Sequence, residues 1–258
     1  MQALVLEEEQ QIKVPDLKVW RDVVDHMKCA TKKEEIFIKL MYLTAARTSE
    51  LLTEVTPFQL KNNKTKPYGS LLEWQLTDYK KRDGKPIKLL LIKMAVAKKK
   101  LKKPKPEEQP QHETQTEADI VTPQTLKLKV RMKIIPIPCD KSFEPWSLDI
   151  LRWIVAHRES PEALRFNFVE MTAQNIVKRN LRNMFPSIHP HLLRHFRVTH
   201  LIQNYNFTPY QLTAFTGWSL KSTFGSMGVS ASSNLDIYSH LQWKDYIDKL
   251  LVPLSEIL

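Results

Sequence analysis

The chain has 258 residues, 42% of them hydrophobic, enough for one substantial core or one large domain with a small companion. Its 39 Lys and Arg outnumber its 28 Asp and Glu by 11, which favours a polyanionic partner without choosing between DNA, RNA and an acidic membrane. No apolar run reaches the length of a membrane span, the start MQALVLEEEQQ lacks the basic lead and apolar centre of a secretory signal, and Cys29 and Cys139 have no metal-type spacing, which fits two reduced thiols in an intracellular protein.

Residues 1–13 read as a lead or linker. A helix is expected over 14–29, with Asp16 able to cap it and Leu17, Trp20, Val24 and Met27 on one face. A second starts at Thr31, which has capping-box spacing to Glu34, and carries Ile36, Phe37, Leu40 and Met41 as a core stripe towards Arg47. Ser49 to Thr53 begin another helical turn, with Leu51 and Leu52 inward. The period then changes. Leu71 to Leu76 and Ile87 to Ala97 read as strands. Leu126, Leu128, Val130, Met132 and Ile134 alternate with Lys127, Lys129, Arg131 and Lys133, one face apolar and the other cationic. The cationic face fits a solvated surface and a phosphate-lining surface equally well. Between these strands, residues 99–124 are rich in Lys, Pro, Glu and Gln and are expected to form a long flexible hairpin tip.

The C-terminal half reads as helical. Trp146, Ile150, Leu151 and Ile154 make one stripe; Thr172 can cap a helix carrying Ile176, Leu181 and Met184; a third helix runs from His191 to Gln203. Thr208-Pro209 starts a fourth, which stops at Gly217. A short amphipathic helix over Gln242 to Leu251 suits either a cap on its own core or docking on a neighbour. The fold class expected is mainly α with a small antiparallel β-sheet (α+β), as one domain over 14–258.

Four local settings carry chemistry: Arg47 in AARTSELL, His191 and Arg194 in HPHLLRH, Trp218 in FTGWS, and Tyr238 in DIYSHL. Two guanidinium forks suit one phosphodiester, and a tyrosine hydroxyl can attack it. Singly, each motif is weak: a buried arginine paired with a carboxylate or a core tryptophan would account for it. As an ordered set, they resemble the catalytic domain of the tyrosine recombinase (phage integrase) family. Arg47 and Glu50 fill the first arginine box, His191 and Arg194 the His-x-x-Arg box, Gly217 and Trp218 the glycine-histidine/tryptophan box, and Tyr238 the nucleophile box.

The resemblance implies a site-specific recombinase or integrase that cleaves and rejoins duplex DNA one strand at a time. Tyr238 would form a 3′-phosphotyrosyl link, Arg47 and Arg194 would clamp the non-bridging oxygens, and His191 would accept the tyrosine proton or hold the phosphate. Glu50 would orient His191 or Arg47, and Trp218 would donate its indole N–H or pack. The family also implies a lysine on the hairpin that protonates the leaving 5′ oxygen. Lys98 is the choice, with Lys93, Lys99 and Lys100 behind it. Lys99, Lys100, Lys127, Lys129, Arg131 and Lys133 are the candidate DNA contacts. No ATP loop, zinc spacing or metal-carboxylate cluster is present in the sequence, so no cofactor and no metal is expected. Double-stranded DNA is the implied partner, with a homotetramer on DNA, a monomer or weak oligomer when free, and a cytoplasmic, nucleoid-associated location. His195, His200 and His240 read as packing or helix-surface residues; Tyr205, Tyr210 and Tyr246 as half-buried aromatics.

Two features depart from the family. The interval from Trp218 to Tyr238 is longer than usual and is Ser- and Gly-rich. The first arginine box arrives at residue 47, so the family's N-terminal core-binding domain is missing, as expected of a fragment or of a naturally minimal protein. Two other readings remain: a type IB topoisomerase-like DNA-relaxing enzyme, and a DNA-binding module without activity.

Overall fold

A computed structural model describes residues 13–52, 73–96, 132–159, 166–218 and 242–258. Helix α1 spans Leu17–His26 and α2 spans Lys32–Leu43. Thr31 caps α2, its hydroxyl accepting the Glu34 N–H at 3.2 Å, as the spacing predicts. The Glu34 carboxylate does not complete the box but takes Arg179 at 2.6 Å. Asp16 occupies the cap position of α1 without a side-chain cap bond. The last eight residues of α2, Ile36 to Leu43, are all buried, so this helix runs through the interior rather than along its edge. A short helix α3 follows at Thr48–Leu51.

Strands β1 (Glu73–Lys80), β2 (Pro86–Ala95) and β3 (Met132–Pro138) form an antiparallel meander in the order β1-β2-β3. The β1–β2 turn closes through Gly84 N–H to Lys81 O at 2.9 Å, with Gly84 at φ +82°. The sheet corrects one sequence expectation. Lys133 pairs in register with Met94, and both are buried, whereas Ile134 pairs with Lys93 and is 36% exposed. The inward face of β3 is therefore Lys133, Ile135 and Ile137, and the apolar-in, lysine-out phase is reversed here. The reason is a buried carboxylate, described below, that Lys133 must meet. Lys127, Lys129 and Arg131, and the 99–124 tip, lie outside the described residues.

Helices α4 (Ser147–Ala156), α5 (Glu170–Leu181), α6 (Pro190–Gln203) and α7 (Pro209–Thr216) complete the helical part, giving the mixed α+β architecture expected. Trp20 is fully buried between Tyr42 (ring centroids 5.2 Å apart), Phe196 (5.3 Å) and Phe185 (5.9 Å), which ties α1, α2 and α6 together. Arg21 fastens α1 to the start of α4 through a buried two-bond pair with Glu144 at 3.0 and 2.8 Å.

The C-terminal segment settles on its own core. After a 3₁₀ turn at Trp243–Asp245 come α8 (Ile247–Leu250) and α9 (Leu254–Ile257). Buried Tyr246 donates to Ile134 O at 2.9 Å, and Asp248 takes Tyr79 at 3.0 Å and Arg82 at 2.7 Å. This stretch packs as a cap on its own core. Among the described residues, no helix is long and apolar enough to cross a membrane.

His200 is fully buried on α6, between the Tyr42 hydroxyl at 2.7 Å and Pro15 O at 2.7 Å. Pro15 O can only accept, so Nε2 carries the proton and Nδ1 accepts from Tyr42. Burial, with the Arg197 and Arg21 charges, pushes this imidazole down to about 4, the Pro15 carbonyl opposing. Between its ordinary value near 6.5 and about 4 the unfolded chain binds a proton that the native state refuses, so stability falls as pH drops through that window, by up to about 3 kcal/mol. Urea melts from pH 6.5 to 4.5 should show wild type losing stability more steeply than His200→Gln, by a slope of about one proton. Parallel slopes would contradict the neutral assignment.

Candidate active site

The site begins where α2 ends. Thr44 closes α2, and Ala45 then adopts φ +44°, a left-handed conformation that L side chains rarely take. This turn exposes two carbonyls to the interior: Thr44 O accepts Lys133 Nζ at 3.3 Å, and Ala45 O accepts Arg194 Nη1 at 2.6 Å. Arg47 is the N-cap of α3, and three residues on, Glu50 Oε2 accepts the Arg47 backbone N–H at 3.0 Å. A capping interaction thus buries a carboxylate beneath the Arg47 side chain.

Three cations from three parts of the chain converge on it. Arg47 Nη1 lies 3.1 Å from Glu50 Oε1; Lys133 Nζ lies 3.1 Å and Arg194 Nη1 3.8 Å from Oε2. Among the described residues, three positive groups thus meet at one carboxylate. Arg194 is 1% exposed; besides Ala45 O it donates from Nη2 to Thr216 O at 3.3 Å, and its Nε finds no acceptor among the described residues. The Arg47 side chain is 35% exposed, so it forms the open side of the cluster.

The electrostatics follow from burial. For Glu50, burial alone would raise the carboxyl, but Lys133, Arg194 and the Arg47 N–H outweigh it and hold it below the usual carboxylate range. Burial pushes the Lys133 ammonium down to about 8, with Glu50 opposing and Arg194 adding. Burial also brings Arg194 down to about 10 against the pull of Glu50.

His191 sits in the first turn of α6, exposed, with its ring edge-to-face against His195 at 4.6 Å and parallel to His189 at 6.5 Å. Burial, the neighbouring histidines and the Arg194 and Arg47 charges lower its pKa, favouring the neutral ring that can accept a proton. Trp218 is half-buried, with the Arg194 guanidinium 5.2 Å from its ring centroid. It is delivered there by Gly217, the left-handed C-cap of α7 at φ +72°.

Of the sequence candidates, then, Arg47, Glu50, His191, Arg194 and Trp218 come together. Lys98, Lys99, Lys100 and Tyr238 lie outside the described residues. Lys93 faces the same side of the sheet as Ile134, opposite Lys133. Lys133, expected on an outer cationic face, belongs to the cluster instead. Its phase with Ile135 and Ile137 was the available signal. The backbone acceptors at Thr44, Ala45 and Thr216 had none. His195 and His200 take the surface and packing roles expected, and Tyr210 is half-buried; Tyr205 and Tyr246 are fully buried rather than half-buried. Compared with models of known families, with curated proteins and with solved structures, the chain matches none.

A Cβ on Gly217 would lie 2.6 Å from Val96 Cγ2, in a backbone conformation that also disfavours alanine. Gly217→Ala should destabilise the protein by about 1–3 kcal/mol. Adding Val96→Ala should recover the steric part and leave the backbone part, which thermal melts of the two variants would separate; a neutral Gly217→Ala would mean that the α7 cap does not fix Trp218.

Proposed function

We propose that the protein is a DNA strand transferase of the tyrosine recombinase type. The observation that carries this reading is the convergence of Arg47, Arg194 and Lys133 on one buried carboxylate, with neutral His191 and Trp218 beside them. The ordered sequence boxes supply the nucleophile, Tyr238. A phosphodiester carries one negative charge and its five-coordinate attack state carries two, and cations fixed beside it stabilise that gain. Arg47, on the open side, meets the phosphate first. Arg194, held by two carbonyls, is the second guanidinium of the pair.

In this mechanism His191 takes the phenolic proton of Tyr238. The phenolate attacks phosphorus, forming the tyrosyl ester as the P–O5′ bond breaks, and the 5′ oxygen takes its proton from the Lys133 ammonium. Lys133 replaces Lys98 as the lysine assigned to this cluster, because among the described lysines it is the one whose ammonium meets the arginine pair's carboxylate. Re-ligation is the reverse attack by a 5′ hydroxyl and needs no nucleotide, since the ester retains the bond energy. Duplex DNA is the substrate, and recombination requires two sites and a homotetramer on DNA.

A duplex nicked next to the cleavage point traps the covalent intermediate. Wild type should give a protein–DNA adduct that Tyr238→Phe abolishes, and Arg47→Ala should lower adduct formation by about 10²–10³-fold. Binding, read by anisotropy, should survive both changes and fall steeply between about 50 and 200 mM salt as counterions are released. Salt-sensitive binding with no adduct from the intact chain would instead identify a binding module, and relaxation of a plasmid lacking any specific site would identify a topoisomerase.

A further inference from the structure

An open groove of about 670 Å³ lies between the chain's entry into α1, residues 184–188 and the first turns of α6. Its floor is apolar: Ile188, Leu192 and Phe196 are buried, and Phe185 is half-buried. Its rims are apolar as well, with Val19 46% and Met184 60% exposed. A concave apolar floor with large aliphatic side chains at its rims is the form of a surface that something covers.

Lys13 and Val14 belong to the groove's wall, so the residues just before them are tethered at its edge. Those residues carry an apolar cluster, Leu4, Val5 and Leu6, followed by three acids, Glu7, Glu8 and Glu9. Leu6 precedes Lys13 by seven positions, a reach of up to about 24 Å. Lys13 in the wall and exposed Lys18 in the first turn of α1 suit the intervening acids, and Asp16 is the one acid lining the groove. We propose that the Leu4–Leu6 segment of the same chain docks in this groove. Tethering favours it over a free partner or a second copy: the segment is presented at an effective concentration of about millimolar, without the loss of translational freedom that association costs. The wall at His189 and Leu192 flanks His191, so the docked segment braces the first turn of α6. None of this depends on the proposed catalytic function.

Photocrosslinking in the full chain tests the docking directly. With benzoylphenylalanine in place of Val5, irradiation of dilute protein should join position 5 to Val19, Met184 or their neighbours within one chain, read by peptide mass mapping. Leu4→Asp with Leu6→Asp should lower the melting temperature by about 2–6 °C. That loss should disappear in a Met184→Asp background, where the groove is already spoiled. An unchanged melting temperature, an equal loss in both backgrounds, or crosslinks that miss the groove would overturn the proposal. Crosslinks between chains would overturn it in favour of a second copy as the occupant.

Discussion

Glu50 draws Arg47 out of α3, Lys133 out of the sheet and Arg194 out of α6, and no two of these elements are close in sequence. A carboxylate buried alone would be costly or would take up a proton, so its three cationic partners are a condition of its burial. The converse also holds: without Glu50, the buried Lys133 and Arg194 would lose the carboxylate that lies between them. This mutual dependence makes the site part of the core, and the geometry proposed for phosphate binding is enforced by folding itself.

The surrounding structure serves that constraint. The left-handed turn at Ala45 aims two carbonyls at Lys133 and Arg194, and the left-handed cap at Gly217 brings Trp218 against the Arg194 guanidinium. Tyr246 holds the outer edge of β3 one residue beyond Lys133, so the C-terminal cap also supports the strand that carries the buried ammonium. Several short-range devices together fix a few side chains more tightly than any single contact could.

Much of the α+β plan was legible from periodicity and punctuation. Thr31 and the Thr208-Pro209 pair began helices as expected, Gly217 ended one, and the hairpin strands followed their β-branched and aliphatic runs. The cluster was legible in type, because Arg47, Glu50, His191, Arg194 and Trp218 stand in recognisable local settings. Lys133 was misread because hydrophobic alternation assumes that lysines face water. That assumption fails when a buried carboxylate on another element supplies the counter-charge, which no local pattern reveals. The double role of α6, with Arg194 at the Glu50 cluster and Arg197 among aromatic rings, was hidden for the same reason. Both are tertiary facts about which partner lies opposite.

The central claim is that Arg47 and Arg194 share one oxyanion above Glu50. Crystals soaked in tungstate, a heavy tetrahedral stand-in for phosphate, test it most directly. An anomalous peak is expected within hydrogen-bond distance of both guanidinium groups, lost in Arg47→Ala. Tungstate bound elsewhere, with the Glu50 cluster bare at saturating concentration, would contradict it.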